Sequence, residues 1–221
     1  MKEGQAFRQF WNNADTIEQF AQRPPDPYLK PILESIADRQ SKSALDLGCG
    51  AGRNTELLLS YGFRTFACDI NPGMLMETRR RILHKFNAGS PNLTLARMSE
   101  LPYSDNSFDV VISNGVFHNA TTEEELHTTF ANTVRILRPG GVLLLSQFTG
   151  DSIDHDSLSQ VPNTPIFITR ENTKMVLYSS DKIIELANGL GLTVTGETQR
   201  KIYTLDTGNR ANVRTVLTKL E

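Results

Sequence analysis

The sequence predicts an α/β fold in which helices cover both faces of a mainly parallel sheet. From residue 43 onward, short apolar runs typical of buried strands alternate with helical patterns, as in βαβ units. The first run, 43–47, contains an acidic residue near its end and precedes three glycines on alternate positions, Gly48, Gly50 and Gly52, and then a helix start. Glycines at this point let the chain turn sharply after the strand and let a ligand lie against the main chain.

The N-terminal segment, residues 5–40, is predicted to form two helices that are interrupted at 24–27, where adjacent prolines cannot continue a helix. Its apolar residues recur at helical spacing: Phe7, Phe10, Trp11, Ile17 and Phe20. This amphipathic stripe has two interpretations that the sequence leaves open. The segment either packs onto the core as ordinary structure or covers a ligand pocket as a lid.

Five strands and two longer helices follow this segment. The strands are predicted at 43–47, 63–68, 92–97, 108–113 and 141–147, each short and rich in Val, Leu, Ile or Phe. One helix is predicted at about 72–87, opened by Asn71-Pro72, because proline is tolerated in a first turn. Another is predicted at 122–137, where an apolar stripe would face the sheet.

The pattern changes after the fifth strand. Residues 151–165 are polar and are predicted to form a loop, and residues 166–178 alternate like a short hairpin. A helix is predicted to begin at Ser180 and to end at Gly191 in a left-handed cap. Residues 192–200 and 211–219 are predicted to be two further strands, joined across a turn-rich link at 206–209.

The glycine spacing narrows the class of ligand. G-x-G-x-G differs from the G-x-G-x-x-G that binds a dinucleotide pyrophosphate, which disfavours an NAD-dependent dehydrogenase. The helix after the loop presents free N–H groups and its positive end to the crevice. Twenty-one residues after Gly48, the run 63–68 is followed by Asp69, a suitable acceptor for two ribose hydroxyls. The pattern indicates a ligand with a ribose and no pyrophosphate.

Four segments resemble those of a known family, in the same order and at similar distances. Leu-Asp-Leu-Gly-Cys-Gly-Ala-Gly-Arg at 45–53 resembles motif I of the class I S-adenosylmethionine-dependent methyltransferases, and Asp69 stands where their ribose-binding acidic residue ends strand two. Residues 99–111 resemble their L-P-F-x-D-x-S-F-D-x-V segment, and Leu-Arg-Pro-Gly-Gly at 137–141 their turn into strand five. The resemblance covers residues 43–148 and is closest to small-molecule enzymes of the methyltransferase 11/25 type.

This resemblance implies a Rossmann-like, doubly wound sheet of seven mostly parallel strands, with an antiparallel last strand and an N-terminal helical cap. It divides the chain into a cap or lid at 1–42 and a methyltransferase domain at 43–221, with the hairpin at 166–178 inserted over the active-site end of the sheet. The two C-terminal strands would close the sheet.

The resemblance also implies that S-adenosylmethionine is the cofactor. Asp46 would orient the glycine loop and the methionine end, Asp69 would bind the ribose, and the Met98–Ser99 backbone would meet the adenine edge. The complete set of expected cofactor-binding residues is Asp46, Gly48, Gly50, Gly52, Arg53, Asp69, Ile70, Met98, Ser99 and Asn114.

Arg97 departs from the family pattern, because many members have an aspartate there that accepts from the adenine amino group. Arginine has only donors and cannot accept this bond. Ser99, Glu100 or a backbone carbonyl could replace it, and Arg97 could point outward and pair with Glu100 or Asp69.

The reaction that the resemblance implies is in-line transfer of an activated methyl group, which needs alignment more than acid–base chemistry. A base helps only where the acceptor is protonated. His118 is the candidate for that role or for an acceptor contact, because its ordinary pKa is near neutrality. The alternative is a histidine that is hydrogen-bonded within the structure. A second alternative for the whole chain is an inactive S-adenosylmethionine-binding module that acts as a partner or sensor.

Composition limits the partners and the location. A net charge of −2 in 221 residues gives no electrostatic reason to expect nucleic acid, and the Asn-Pro-Pro-aromatic motif of amino-methylating enzymes is missing after Asn114. No apolar run approaches a membrane span or the core of a signal peptide. Two cysteines, Cys49 and Cys68, suit buried thiols rather than a metal site or disulfides. We expect a cytoplasmic monomer or homodimer that acts on a small-molecule acceptor.

Overall fold

The computed structural model describes residues 9–83, 85–86 and 91–221. The predicted positions 5–8, Phe7 among them, and part of the predicted helix end at 84–87 lie outside these ranges. Helices occur at α1 (Ala14–Gln22), α2 (Leu29–Ser35), α3 (Arg53–Ser60), α4 (Pro72–Leu83), α5 (Glu123–Ile136) and α6 (Ser180–Gly189). Strands occur at β1 (Ser43–Leu47), β2 (Arg64–Asp69), β3 (Asn92–Leu95), β4 (Phe108–Asn114), β5 (Leu137–Ile153), β6 (Leu158–Gln160), β7 (Ile166–Thr169), β8 (Lys174–Val176), β9 (Leu192–Val194), β10 (Gln199–Leu205) and β11 (Gly208–Lys219).

The main sheet has the strand order β3-β2-β1-β4-β5-β11-β10. Strands β1 to β5 are parallel to their neighbours, and β11 runs antiparallel to β5. The strand order reverses at β1, so the crevice between the carboxyl ends of β1 and β4 is the expected place for a ligand. The predicted doubly wound, mostly parallel sheet with an antiparallel last strand is therefore confirmed.

The sheet is buried on both faces, which explains why its central strands are continuous apolar runs. Every residue of β1 is buried. On one face, Leu33 of α2 and Leu58 of α3 pack in one cluster with Ile112 of β4. On the other face, Phe130 of α5 and Ile183 of α6 belong to a second cluster. These two layers fix the strand ends whose loops form the site.

Side chains cap the starts of α4 and α5. The Thr122 hydroxyl accepts from the Glu125 N–H (3.1 Å) at the start of α5. The Asn71 side chain accepts from the N–H groups of Gly73 (2.8 Å) and Met74 (3.1 Å) at the start of α4. These three bonds satisfy N–H groups that have no partner within the helix. Gly191, with φ of 85°, follows α6 as the predicted left-handed residue.

Two predictions about the C-terminal part need correction. The predicted loop 151–165 contains the end of β5 and the short strand β6, which joins the predicted hairpin β7–β8 in a separate three-stranded sheet. Only Leu158 of β6 is buried, so its sequence carries no alternating pattern. The predicted strand 192–200 is divided into β9 and β10, which pair with the same strand β11 in registers that differ by two residues. At the interruption, a Cβ on Gly196 would lie 2.9 Å from the Val216 side chain.

Candidate functional site

A cavity of about 660 Å³ opens at the carboxyl ends of β1, β2 and β4. Its floor includes six of the expected cofactor-binding residues: Gly48, Gly50, Asp69, Ile70, Met98 and Asn114. Its roof comes from two other parts of the chain, the segment around α1 and the β7–β8 hairpin. The roof residues are Trp11, Asn12, Phe20, Ile168, Asn172, Thr173 and Lys174.

The glycine loop has a backbone shape that side chains would prevent. A Cβ on Gly48 (φ 68°) would lie 2.4 Å from Cγ2 of Val116. A Cβ on Gly52 (φ 78°) would lie 2.8 Å from Cγ2 of Thr78. Positive φ values also cost other residues free energy. Gly52 itself is not part of the cavity lining; it serves as the left-handed N-cap of α3.

Asp69 connects the glycine loop to the end of β2. Its Oδ2 accepts from the Gly50 N–H and its Oδ1 from the Asn71 N–H, each at 2.9 Å. Each carboxylate oxygen has a further lone pair, so two ligand hydroxyls can still bind. Burial raises the pKa of Asp69, and the two N–H groups oppose that shift.

Asp46 lies below the cavity and does not line it. Its Oδ2 accepts from the Thr55 hydroxyl at 2.6 Å, a contact with the first turn of α3. Burial raises the pKa of Asp46 to about 6, with the Thr55 bond as the largest opposing effect. The side chain therefore holds α3, and with it the glycine loop, from beneath.

Asn114 is the centre of a polar network that the sequence did not reveal. Its Nδ2 donates to Oδ2 of Asp26 (2.7 Å), and its Oδ1 accepts from Arg53 (3.4 Å). The same Asp26 carboxylate is bound by both terminal nitrogens of Arg214, at 3.0 and 3.4 Å. A carboxylate only accepts and a guanidinium only donates, so the orientation of the Asn114 amide is determined. The sequence showed Asp26 only as part of the proline-rich break at 24–27, between the two predicted N-terminal helices.

The adenine side agrees with the expectations in part. Ile70 and Met98 line the cavity, whereas Ser99 does not, and its carbonyl accepts from Asn132 Nδ2 (2.9 Å). Arg97 also lines the cavity, and its nearest carboxylate is Glu125, with 3.4 Å between Nη2 and Oε1. Its pairing is thus with Glu125 rather than with Glu100 or Asp69. Both residues are on the cavity wall, so Arg97 is not simply turned away from the site.

His118 does not have the geometry of a general base. It is 3% exposed, lies outside the cavity lining and packs on the Phe148 ring (4.4 Å between centroids). Its Nδ1 accepts from the Phe148 N–H at 3.2 Å, so in the neutral ring the proton is on Nε2. Burial, followed by the charge of Arg210, lowers the pKa of His118 to about 3. The alternative of a hydrogen-bonded structural histidine fits this geometry.

The dehydrogenase alternative finds no support in the cavity. A Tyr-x-x-x-Lys spacing, which some dehydrogenases use, does occur at Tyr178 and Lys182. Neither residue lines the cavity, and the Tyr178 hydroxyl is hydrogen-bonded with His127 (3.0 Å) and Glu123 (2.5 Å). Across residues 9–83, 85–86 and 91–221, no group of three or more His, Cys, Asp or Glu side chains is arranged to hold a metal. No helix in these ranges has the length and apolar character of a membrane span.

Comparison with solved structures shows the fold class of this chain. An S-adenosylmethionine-dependent methyltransferase of Methanosarcina mazei superposes with a TM-score of 0.70 at 18% identity, covering 90% of this chain and 99% of that chain. The 1,6-didemethyltoxoflavin-N1-methyltransferase of Burkholderia thailandensis, with bound 1,6-didemethyltoxoflavin and S-adenosylhomocysteine, superposes with a TM-score of 0.68 at 21% identity, covering 98% and 88%. At these identities the likeness shows the fold, which is that of Rossmann-like methyltransferases.

Sequence comparison gives the family. A family model described as a methyltransferase domain matches residues 45–145. The ubiquinone/menaquinone biosynthesis C-methyltransferase UbiE of Shewanella halifaxensis is 32% identical over 133 residues, 58% of this chain and 51% of that protein. The same enzyme of Ectopseudomonas mendocina is 34% identical over 120 residues, 53% and 46%. The chain spans about half the length of these curated relatives. Residues 45–145 thus form a methyltransferase domain of the class I type, a family whose methyl donor is S-adenosylmethionine.

The first prediction tests the structural role of His118 through pH. Between the folded pKa of about 3 and the ordinary value of about 6.5, the unfolded chain binds one more proton than the folded chain. The contribution of His118 to stability is therefore complete above pH 6.5 and declines below it, by about 1.4 kcal/mol per pH unit.

In His118→Asn, the Asn Oδ1 can accept from Phe148 without titrating. Urea unfolding at pH 5, 6 and 7 is expected to show a shallower loss of stability on acidification than in the unchanged chain. His155→Asn, an exposed histidine, is the control and should keep the original slope. Equal slopes in all three proteins would contradict the burial of a neutral His118.

The second prediction concerns the ion pair beneath Asn114. Asp26→Ala leaves the largely buried Arg214 without its carboxylate, so we expect a loss of about 3 kcal/mol in the free energy of unfolding. Asp181→Ala, which removes an exposed ion pair with Arg200, is the matched control and should cost less than about 1 kcal/mol. Similar losses in urea unfolding would show that Asp26 is not a structural anchor.

Proposed function

We propose that this chain transfers the methyl group of S-adenosylmethionine to a small-molecule acceptor by in-line displacement. The observation that carries the proposal is the division of the cavity. Cofactor-type residues at the ends of β1, β2 and β4 form the floor, and a roof from α1 and the β7–β8 hairpin encloses the rest. A volume of about 660 Å³ is typical of pockets that bury small ligands.

The floor residues have distinct roles in this proposal. Asp69 accepts from both ribose hydroxyls, and Ile70 and Met98 flank the adenine. The main chain of Gly48 and Gly50 lies against the methionine end. Arg53 binds the methionine carboxylate, because its one hydrogen bond among the described residues, to Asn114, is long and leaves other donors for a ligand. Gly52 and Asp46 shape the loop, and Ser99, whose carbonyl is bound by Asn132, is given no contact with the cofactor.

Alignment and exclusion of water account for the catalysis. The sulfonium methyl is already activated, so the protein needs to hold the acceptor atom at about 3 Å on the line of the breaking bond. The cavity wall between floor and roof, formed by Val116, Asn119 and Thr121, is where we place the acceptor. His118 takes no part in proton transfer, because its Nδ1 accepts from Phe148.

A small acceptor is supported by the roof and by the names of two similar proteins. Trp11 and Phe20, with ring centroids 5.2 Å apart, cover the cavity from one side and the hairpin covers it from another. Two similar proteins are named as methyltransferases of 1,6-didemethyltoxoflavin and of ubiquinone/menaquinone biosynthesis, one acting on nitrogen and one on carbon. We further propose a cytoplasmic location, because Cys49 and Cys68 are buried free thiols.

The test uses methyl-labelled S-adenosylmethionine and a cell extract that is divided into a low-mass fraction and a macromolecular fraction. We expect label to enter the low-mass fraction only, and S-adenosylhomocysteine, but not NAD, to raise the melting temperature. A ligand at 100 times its Kd adds about 2.7 kcal/mol to stability, which is easily detected. Label in protein or RNA would contradict the small acceptor, and stabilisation by NAD would contradict the cofactor.

The third prediction concerns Asp69. Asp69→Ala removes two charge-assisted bonds to the ribose, each contributing roughly 1.5–3 kcal/mol, so affinity for S-adenosylhomocysteine should fall at least tenfold. Asp105→Ala, which removes an exposed carboxylate paired with Arg135, is the control and should bind as the unchanged chain does. Calorimetry that gives equal affinities in both variants would exclude Asp69 from the site.

The fourth prediction concerns the lid. Helix α1 has no buried residue, although Phe20 and the preceding Trp11 line the cavity. We therefore expect a ligand in the cavity to order the segment around α1. Hydrogen exchange in residues 9–22 should slow when S-adenosylhomocysteine is added, and the fluorescence of Trp11, the only tryptophan, should change. Exchange that is slow without the ligand, and the same with it, would mean that the segment is ordinary structure.

A further inference from the structure

Asn71 is a buried side chain whose hydrogen bonds join the cofactor side of the cavity to its roof. It is 5% exposed. Its Oδ1 accepts from the N–H groups of Gly73 and Met74 at the start of α4. Its Nδ2 donates to the carbonyl oxygen of Trp11 (2.7 Å) and to Oδ1 of Asn12 (2.9 Å). Backbone N–H groups only donate and carbonyls only accept, so this amide has one satisfactory orientation.

The position of Asn71 relates these bonds to the cofactor. The Asn71 N–H donates to Oδ1 of Asp69, the proposed ribose-binding carboxylate. Asp69 and Asn71 therefore belong to one hydrogen-bonded turn, with the ribose site on one side and the Trp11–Asn12 backbone on the other. A ligand that fixes the Asp69 carboxylate also fixes the turn that carries the Asn71 amide.

Two other contacts hold α1 against α4. Arg81 of α4 donates to the carbonyls of Ala21 and Arg23, each at 3.0 Å, and so holds the far end of α1. The near end approaches α4 through Ile17, whose Cδ1 would lie 3.0 Å from a Cβ on Gly73. Asn71 is the side chain that binds the Trp11 main chain in this arrangement, and Trp11 packs edge-on against Phe20.

We infer that Asn71 is a positioning residue that holds the Trp11–Phe20 part of the roof over the acceptor once the cofactor occupies Asp69. The inference rests on the proposed function, because it requires the cofactor at Asp69. It assigns to Asn71 a part in closing the acceptor side of the site, without contact with either substrate.

Asn71→Asp separates this role from the capping of α4. The aspartate keeps an oxygen acceptor for Gly73 and Met74, and a negative charge is favourable at a helix N-terminus. It replaces the NH2 donor by a carboxylate oxygen that faces the Trp11 carbonyl, an acceptor that repels it, so the bond to the Trp11 main chain is lost even if the Asn12 amide rotates to donate. Asn13→Asp is the matched control. It makes the same chemical change in the same N-terminal segment, at a residue whose side-chain oxygen accepts from the Asp15 N–H (2.8 Å).

The experiment uses the full chain and S-adenosylhomocysteine as the probe. In Asn71→Asp we expect the urea midpoint and the calorimetric affinity for S-adenosylhomocysteine to remain close to those of the unchanged chain. With the probe saturating, hydrogen exchange in residues 9–22 should be at least tenfold faster, and the fluorescence response of Trp11 should be lost. Asn13→Asp should retain the slow exchange and the fluorescence response.

Three results would overturn the inference. The first is a rate of hydrogen exchange in residues 9–22 that is the same in Asn71→Asp as in Asn13→Asp. The second is a decrease in affinity for S-adenosylhomocysteine as large as the increase in hydrogen exchange of residues 9–22, which would make Asn71 part of the cofactor site itself. The third is a lower urea midpoint of unfolding in Asn71→Asp, which would mean that Asn71 stabilises the fold as a whole through the start of α4. If the unchanged chain does not bind S-adenosylhomocysteine, the proposed function is wrong instead. Hydrogen exchange in residues 9–22 is then compared without ligand. Equal exchange in Asn71→Asp and Asn13→Asp would show that Asn71 does not hold the roof.

Discussion

The hydrogen bond from the Gly50 N–H to the Asp69 carboxylate is the contact on which the site depends. It joins the loop after β1 to the end of β2, whose last paired residues are Leu47 and Cys68. The loop can reach Asp69 because Gly48 and Gly52 take backbone conformations closed to other residues. Asp69 in turn fixes the turn that carries Asn71, and Asn71 starts α4 and binds the roof. One carboxylate therefore connects the floor of the cavity, the start of α4 and the segment around α1.

Asp46, beneath the glycine loop, and Asp69 are two buried carboxylates at the site. Burial raises the pKa of both Asp46 and Asp69, and neither forms an ion pair among the residues described here. A cofactor with a positively charged sulfonium and ammonium group compensates for part of this cost when it binds. Two cations near the site are engaged with other carboxylates: Arg214 with Asp26, and Arg97 with Glu125. The floor is thus suited to a ligand with a positive centre.

The sequence predicted the parts of the fold and site that depend on local chemistry. The glycine loop, the strand-end acid Asp69 and the start of α4 at Asn71-Pro72 each depend on residues a few positions apart. The parts it missed depend on residues distant in the chain. His118 read as a titrating side chain because its partner Phe148 lies 30 positions away. Asp26 read as part of a helix break because Arg214 lies 188 positions away. The short strand β6 has one buried residue and no pattern to detect.

The ion pair between Asp26 and Arg214 has a consequence for the order in which the molecule assembles. Arg214 belongs to β11, which lies between β5 and β10 in the interior of the sheet, although it follows both of them in the sequence. A chain that grows from its N-terminus has made Asp26, β1 and β4 long before this partner exists. Closing such a long loop has a large entropy cost, so local βαβ contacts form more readily. The ion pair beneath Asn114 is therefore completed only after β11 has been made, and a nascent chain that stops short of β11 lacks the partner that holds Asp26 in place.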